Sequence, residues 1–391
     1  MRRFWFANDD LPIVILSRLS AKTLHYLKYV SKDWLNLISG RPFIASQLKN
    51  TEPVSGFFFQ EVFEWTDQEG IESISYIPVD TQTVNVCRTV LDFLPENVVI
   101  LSFNNGLLCC RSCFPNSQPK IHVCNPLNKK WTTLQWPDHN ISQHSSISLA
   151  FDPFQNPVDK STRFKLVAVS VVEKENENEN ENENEEYYFS FDIYSSETGS
   201  WRRSNEWCIS SHNLTKSKNA TVDGVSYWLT GGYQILMFDP ENELSWLVTA
   251  PLPRTEFSSI PETCIGESEG KLHYVIVSED GLQLWALEDR FGPTWELRMS
   301  IALDVLESEN PNALYKLSEK VAGRACKETP AWMDPLSFKD GVLLLRVSVN
   351  VYVYRFETRE MKKLCHVSTL GPKSMYSPIV VPYSMSLVPL D

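Results

Sequence analysis

The sequence lacks long apolar runs and has no cluster of basic residues. None of its apolar stretches approaches the roughly 18 uninterrupted residues that a membrane-spanning helix needs. The start of the chain has too few apolar side chains before Asp9 and Asp10 for a signal peptide. Lys and Arg number 36 against 49 Asp and Glu, so the basic footprint that neutralises nucleic-acid phosphates is missing. We therefore expect no membrane and no nucleic acid as partner, and a location in the cytoplasm, the nucleus or both.

Familiar catalytic and metal-binding motifs are also missing. The chain has no Gly-x-Ser-x-Gly elbow, no phosphate-binding Gly-rich loop and no dinucleotide fingerprint. Cys110 and Cys113 have zinc-ligand spacing, with Cys109, Cys124 and His122 nearby, but a structural zinc site needs two such pairs or more histidines. The same segment fits a strand in which cysteine serves as a small apolar residue. We expect no catalytic residue, no cofactor and no metal.

The composition is that of a folded protein. Hydrophobic residues make up 42% of the 391 residues and aromatic residues 12%, which is enough to fill a large core. The formal net charge is −13, and seven of these charges come from a run of Glu and Asn at residues 173–186. Such a run cannot be buried, so we expect it to form a solvated loop between two strands. The odd number of cysteines, nine, favours reduced thiols over a disulfide framework.

Residues 10 to 39 carry apolar side chains at helical spacings of three and four. The positions are Leu16, Leu19, Leu24, Leu27, Val30, Trp34, Leu37 and Ile38. The pattern predicts three short helices, the first capped by Asp10 and the third by Ser31. Helices of about two turns bury too little apolar surface to be stable alone, so we expect this segment to lean on a partner.

From Val54 onward the pattern changes to short β-branched and aromatic runs bounded by turn residues. A weak repeat pairs a Gly turn with a hydrophobic anchor 22 to 25 residues later. The four turns are Asn105-Gly106, Asp223-Gly224, Glu269-Gly270 and Asp340-Gly341, and a fifth unit that ends at Trp201 lacks the Gly turn. The five repeats, with a sixth blade expected around 54–77, predict a β-propeller-like domain.

Two further interpretations concern individual strands and anchors. Alternation from Val347 to Tyr354 predicts one half-buried strand, and Phe189, Phe191 and Ile193 alternate in the same way. The repeat-equivalent tryptophans could stack on a ligand, but packing between blades explains their positions better. They are Trp131, Trp201, Trp246 and Trp295.

Several segments resemble a known family in their order and spacing. Residues 9–24, 29–38 and 42–44 resemble the F-box of plant F-box proteins, and residues 101–110, 123–131 and 150–154 resemble the F-box-associated, kelch-like domain that follows it. The resemblance implies a mainly β protein with a small α N-terminus: a three-helix F-box at residues 1–48, followed by a kelch-like β-propeller at residues 54–391. It implies a substrate receptor of a cullin-based SCF-type ubiquitin ligase, without catalytic activity of its own.

The resemblance also implies the partners and a set of contact residues. The F-box would dock on a Skp-type adaptor, and through it on the cullin core, while the propeller would bind an unknown target protein. The residues carried over as motif core or docking residues, two roles that sequence does not separate, are Leu11, Pro12, Leu16, Leu19, Leu24, Val30, Trp34 and Ile38. Leu11-Pro12 lies closer to Ile15-Leu16 than is usual in the family, which implies a shortened first helix and a smaller docking area.

A propeller enzyme or carbohydrate-binding module, with an F-box-like N-terminus that has no such function, is the alternative. Aromatic-rich repeats suit it, and a deep central pocket with paired carboxylates or a bound metal would favour it.

Overall fold

The chain forms a ring of β-sheets preceded by short helices, in agreement with the predicted mainly β fold class. The computed structural model describes residues 10–50, 52–64, 69–79, 86–87, 90–113, 116, 118–137, 145–158, 160–172, 186–253, 256–292, 294–322, 331–370 and 378–390. No helix within these ranges is long and apolar enough to cross a membrane. The Glu/Asn run is outside them, except for its last residue, but strands border it on both sides as predicted.

Four short helices begin the described chain, where the sequence predicted three. They are α1 (Asp10–Leu16), α2 (Ala21–Leu27), α3 (Lys32–Ser39) and α4 (Arg41–Gln47). The hydroxyl of Ser31 accepts a hydrogen bond from the backbone N–H of Trp34 at 3.2 Å, which confirms this predicted cap. Extended backbone at Gly40 ends α3, and Pro42 fits the first turn of α4 because its missing N–H is not needed there. The side chain of Asp10, the other predicted cap, is outside the described part.

The first two strands form one sheet with the last strand. They are β1 (Gly56–Glu64) and β2 (Glu69–Pro78), which form a three-stranded sheet in the order β2-β1-β23 with β23 (Ile379–Tyr383). We call this sheet blade 6. It joins the two ends of the propeller, because β1 pairs antiparallel with β23 across more than 300 residues of sequence.

Five antiparallel four-stranded units follow in chain order. Blade 1 is β3 (Val98–Asn104), β4 (Leu107–Ser112), β5 (Lys120–Asn125) and β6 (Lys130–Gln135); blade 2 is β7 (Ser146–Ala150), β8 (Lys165–Val172), β9 (Tyr187–Ser195) and β10 (Ser200–Ser210); blade 3 is β11 (Leu214–Val222), β12 (Val225–Thr230), β13 (Ile235–Asp239) and β14 (Leu244–Val248). Blade 4 is β15 (Glu262–Ser268), β16 (Lys271–Ser278), β17 (Gly281–Asp289) and β18 (Thr294–Ile301); blade 5 is β19 (Met333–Lys339), β20 (Val342–Val347), β21 (Asn350–Arg355) and β22 (Glu360–His366). Blades 4 and 5 join through a short parallel pairing of β15 with β19.

The first strand of each of blades 1 to 5, together with β23, surrounds the centre of the ring. In the order β3, β7, β11, β15, β19 and β23, each contacts the next, and β23 contacts β3 again. The buried side chain of Gln60 secures this closure: it donates to the carbonyl of Val98 at 2.7 Å and accepts from the N–H of Ile100 at 2.8 Å. The five repeats and the sixth blade expected from the sequence are therefore confirmed.

The four Gly turns lie where the repeat places them. Each joins the innermost strand of its blade to the next strand, and in each turn both residues have positive φ, for example 48° at Asp223 and 79° at Gly224. This is the backbone conformation of two-residue hairpins, which favours Asn, Asp and Gly. We call these four turns, at Asn105-Gly106, Asp223-Gly224, Glu269-Gly270 and Asp340-Gly341, the inner turns.

Two local predictions differ from the structure. The stretch from Val347 to Tyr354 is a hairpin and not one strand, because the chain turns at Ser348, whose φ is 54°. Two helices between blades 4 and 5 were not predicted: α5 (Leu303–Glu309) and α6 (Leu317–Ala322). Both cover the apolar core of these blades, so their formation depends on packing more than on a long helical pattern.

Candidate functional site

The inner face of the N-terminal helices packs onto the propeller. Leu24, Ile38 and Phe43 are buried and belong to one hydrophobic cluster with side chains of blades 1 and 2. Arg41 adds a polar link, because its guanidinium donates to the carbonyl of Val158 at 3.0 Å. The helices are therefore anchored on the rim of the ring by both apolar and polar contacts.

The outer face of the same helices exposes a group of large apolar side chains to solvent. Their side chains are between 37% and 78% exposed. We call this set the helical apolar face, and its members are Val14, Ile15, Leu19, Tyr26, Tyr29, Val30 and Leu35. A contiguous sequence segment with so much exposed apolar surface is typical of a protein–protein interface.

Basic residues outnumber acidic ones in the segment that carries the helical apolar face. Residues 10–50 hold six Lys or Arg and only two Asp or Glu, although the whole chain has a formal net charge of −13. Burial lowers the pKa of Lys28, and burial together with Lys28 lowers the pKa of His25. An apolar face on a basic segment suits a partner that has an apolar groove and acidic side chains.

The structure separates the predicted contact residues into two sets. Leu24 and Ile38 are fully buried, and Leu16 and Trp34 are partly buried against the same cluster, so these four are core residues of the motif. Leu19 and Val30 belong to the helical apolar face. The backbone of Leu11 and Pro12 lies in α1, but their side chains are outside the described part of the chain.

Sequence reasoning missed most of the helical apolar face. Val14, Ile15, Tyr26, Tyr29 and Leu35 lie between the positions of the core pattern, so a search for a single apolar stripe passes over them. A signal was present, because these short helices are apolar on both faces. A helix with apolar side chains on both faces can pack one face on its own protein and offer the other to a partner.

A second candidate site is a cavity of about 340 Å³ at the centre of the ring. Its wall includes all four inner turns, so it lies at the end of the ring where these turns cluster. The segment that follows α4, at residues 48–50 and 52, also lines it. Glu52 connects this wall with the helices, since its carboxylate accepts from the backbone N–H of Ala21 and from the Gln47 amide.

Carboxylates outnumber cationic groups in the cavity wall. The acidic residues are Glu52, Asp152, Asp223, Glu267, Glu269 and Asp340, against Lys49, Lys218 and Lys339. The Lys339 ammonium lies 2.5 Å from a Glu267 oxygen and 3.2 Å from an Asp340 oxygen. Burial opposes the charge of Lys339, but these two carboxylates outweigh it and raise its pKa.

Burial raises the pKa of two carboxylic acids in the cavity wall. Burial raises the pKa of Asp223, and the nearby charges of Asp152 and Glu267 raise it further, against a lowering by Arg290. Burial also raises the pKa of Asp340, despite its ion pair with Lys339. The cavity is therefore an acceptor-rich site with excess negative charge, which favours a cationic guest.

The remaining sequence candidates are structural. Cys109, Cys110 and Cys124 are fully buried, and burial raises the pKa of the Cys109 thiol well above its ordinary value, with a further contribution from Cys110. His122 is bound by Glu96 at 2.9 Å and by Thr133 at 3.1 Å. These are the side chains of the zinc candidate, and in the described part of the chain no three potential ligands come together to hold a metal ion.

Three of the four repeat-equivalent tryptophans connect neighbouring blades. The indole N–H of Trp201 donates to the carbonyl of Gln135 in blade 1 at 3.1 Å. Trp246 and Trp295 link blades 3 and 4 through 2.8 Å bonds to the carbonyls of Arg290 and Thr249. Trp131 is 41% exposed and packs near Phe93. The prediction of packing between blades is confirmed for the three that make these bonds.

Comparison with known proteins finds relatives among F-box proteins of Arabidopsis thaliana. The family model described as "F-box protein At3g26010-like, beta-propeller" matches residues 85–322. F-box protein At5g07610 of Arabidopsis thaliana is 27% identical over 393 residues, which cover 93% of this chain and 86% of that protein. F-box protein At5g49610 of the same plant is 26% identical over 320 residues, which cover 78% of this chain and 81% of that protein.

Among solved structures, TolB from Acinetobacter baumannii matches with a TM-score of 0.40 and 13% identity, over 85% of this chain and 68% of that chain.

Proposed function

Since the chain belongs to the plant-type F-box proteins with an At3g26010-like β-propeller, we propose that it is the substrate-recognition subunit of a cullin-based SCF-type ubiquitin ligase. In this role residues 1–48 form the F-box and bind a Skp-type adaptor. Residues 54–391 form the propeller and bind the target protein. Ubiquitin transfer is the work of other subunits, so the chain is a non-catalytic receptor, located in the cytoplasm, the nucleus or both.

The observation that carries the proposal is the helical apolar face. Seven large apolar side chains are exposed on the helices α1 to α3 and the turns between them, whereas other apolar side chains of this segment are packed on the propeller. An apolar helix face that fills a groove on a partner is a common mode of protein recognition. The anchoring of the helices also fixes the orientation of a bound adaptor relative to the propeller, as a receptor subunit requires.

The test is binding of the purified full-length chain to a purified Skp-type adaptor, measured by calorimetry or surface plasmon resonance. The double variant Ile15→Asp, Val30→Asp places two charges in the helical apolar face without touching the core. We expect its affinity for the adaptor to fall by at least about 100-fold, because each buried charge without a partner costs several kcal/mol. Variants at Leu16 suit this test less well, because Leu16 packs against the core and its replacement also threatens folding.

The matched control is Leu244→Asp, Leu297→Asp. These leucines are exposed to a similar degree, at 45% and 44%, but lie on the outer strands of blades 3 and 4. The control should bind the adaptor as tightly as the wild type. No binding by the wild type, or equal loss in both double variants, would refute the proposed docking surface.

One observation favours the alternative of an enzyme or carbohydrate-binding propeller: the central cavity contains several carboxylates. Two of them, Glu267 and Asp340, are held by Lys339, an arrangement that suits binding more than proton transfer. A rise in Tm that grows with the concentration of a mono- or oligosaccharide would support the alternative, since a ligand stabilises the state that binds it.

A further inference from the structure

Three polar atoms in the wall of the central cavity have no hydrogen-bond partner within the protein. They are Oδ1 of Asn104, Oγ1 of Thr221 and Oγ of Ser384, and each residue is more than nine-tenths buried. A buried polar atom without a partner costs about 1–3 kcal/mol, so such atoms are rare in folded proteins and require an explanation. Because three of these atoms belong to residues of one cavity wall, a guest that brings hydrogen-bond donors could satisfy them together.

The three residues come from parts of the chain that only the ring brings together. Asn104 ends β3, Thr221 is near the end of β11, and Ser384 directly follows β23. These three innermost strands contact one another across the centre of the ring, and the Asn219 amide donates from β11 to the carbonyl of Leu101 in β3 at 3.1 Å. The three residues therefore line one common space, although they are far apart in the sequence.

The charge of the cavity wall specifies the kind of guest. An unpaired amide oxygen can only accept, and a hydroxyl can accept. Burial raises the pKa of the neighbouring Asp223 and, although Lys339 lies 3.2 Å away, also that of Asp340. Arg290 lies close enough to lower the pKa of Asp223, but it does not line the cavity. A guest that carries hydrogen-bond donors and a positive charge would satisfy both deficits.

An exposed aromatic ring marks the entrance. Phe154 lines the cavity and is 66% exposed, next to Asp152, whose carboxylate accepts from the N–H of Phe154 at 2.7 Å. An aromatic face beside a carboxylate is a favourable surface for the aliphatic stem and cationic end of Lys or Arg. A cavity of about 340 Å³ is at the small end of ligand pockets, which suits a side chain more than a folded element.

We propose that the central cavity receives a lysine or arginine side chain from a basic segment of the target protein. The cationic group enters past Phe154, donates to Asn104, Thr221 and Ser384, and neutralises Asp223 and Asp340. This deepens the proposed function by naming the chemistry of the target, and it relies on that function only in calling the guest part of a target. Because residues 48–50 and 52 also line the cavity, the target segment lies beside the adaptor-binding helices.

The test uses fluorescence polarisation with the full-length chain and three labelled peptides of one Gly/Ser sequence. Their two central residues are Arg-Arg, Lys-Lys or Gln-Gln. We expect both cationic peptides to bind at least about tenfold more tightly than the Gln peptide at about 150 mM salt, where exposed charges more than a Debye length away are screened. Equal binding of all three peptides would overturn the proposal.

The decisive variant is Asp223→Asn, Asp340→Asn. Both residues have positive φ, a conformation that Asn tolerates well, so the inner turns should keep their shape. The variant leaves the ion pair between Lys339 and Glu267, at 2.5 Å, in place. The affinity for the Arg peptide should fall at least about tenfold, as expected when buried charge partners are removed. Phe154→Ala, which removes an exposed ring, should weaken binding a few fold.

The matched control is Asp92→Asn, Asp280→Asn, which changes the net charge by the same amount at exposed positions outside the cavity. It should retain the wild-type affinity within about threefold, since screened surface charges contribute little. An equal loss in both double variants would show that only net charge attracts the peptide, and would overturn the cavity site. Adaptor binding, measured on the same samples, keeps the two proposals apart: adaptor binding without peptide binding rejects only this inference, and peptide binding without adaptor binding rejects the ligase role.

Discussion

The N-terminal helices and the propeller use apolar residues in opposite ways. Of the large apolar side chains that are exposed in the described part of the chain, seven lie between residues 14 and 35, and eleven are spread over all the rest. The helices are also basic, whereas the chain as a whole is acidic. The difference shows that exposed apolar surface is concentrated on the N-terminal segment, whereas on the propeller it is spread out.

The largest expected effect is a difference in stability between variants at a buried and at an exposed leucine of the N-terminal helices. Leu24→Ala should lower the free energy of unfolding by about 2–5 kcal/mol, because Leu24 is fully buried between the helices and the propeller. Leu35→Ala removes the same atoms from a side chain that is 44% exposed, so it should change the free energy of unfolding by about 0.5 kcal/mol or less. Urea unfolding followed by tryptophan fluorescence measures both. Equal losses would show that the helical apolar face is part of the core.

A second comparison lies within the propeller, between two inner turns of equal backbone shape. Gly106 and Gly224 have φ values of 88° and 79°, so an added Cβ strains both by about 1–2 kcal/mol. At Gly106 it would also lie 2.0 Å from the Cβ of Ser386, whereas at Gly224 nothing lies within 4 Å. Gly106→Ala should therefore be the more destabilising change, by about 2 kcal/mol in urea unfolding.

If both glycine variants lose the same stability, the segment at residues 384–388 does not pack tightly against blade 1. That packing is otherwise indicated by the buried Asn125 amide, which donates to the carbonyls of Ser386 and Val388 at 2.9 Å and 2.8 Å.

The smallest expected effect concerns acid sensitivity in blade 4. Burial alone would raise the pKa of Glu279, but hydrogen bonds from the hydroxyls of Ser259 and Ser258, with help from backbone N–H groups, lower it from 4.5 to about 2. A carboxylate with a lowered pKa in the folded state stabilises the protein above the unfolded value. This contribution should be present at pH 7 and should disappear as the pH falls from 4.5 towards 2.

The measurement is the difference in Tm between the wild type and Glu279→Gln along that pH range. The wild type should be slightly more stable at neutral pH, and the two should converge in acid. Glu357→Gln, at an exposed turn, is the matched control and should show no such convergence. A difference in Tm between the wild type and Glu279→Gln that stays constant from pH 7 into acid would contradict the lowered pKa of Glu279.

Local sequence patterns predicted much of the fold. The inner turns follow from the conformational preferences of Asn-Gly and Asp-Gly pairs, and the buried strand with Phe189, Phe191 and Ile193 follows from simple alternation. The hairpin at Ser348 was missed because alternation continued through the turn, so the period of two could not reveal the reversal. The helices α5 and α6 were missed because each is too short to show a clear helical period.

Of the candidate sites, the sequence identified the helical segment but not which of its residues face the solvent. Leu24 and Val30 looked equivalent in the pattern, yet one is fully buried and the other is 65% exposed. The cavity residues carried no signal, because Asn104, Thr221 and Ser384 are ordinary polar residues far apart in the chain.

The sequence by itself determined many elements of this protein: short N-terminal helices, one of them with a Ser cap, Gly hairpins at repeat positions, and a strand recognised by its alternation. Each depends on backbone conformation and on neighbours within a few residues. Only the tertiary structure decided how the ring closes through β1 and β23, which helical side chains remain exposed, and which unpaired polar atoms share one cavity. These features depend on contacts between residues far apart in the sequence. Such contacts are stabilised by the burial of apolar surface, which the local conformational preferences of the chain do not reveal.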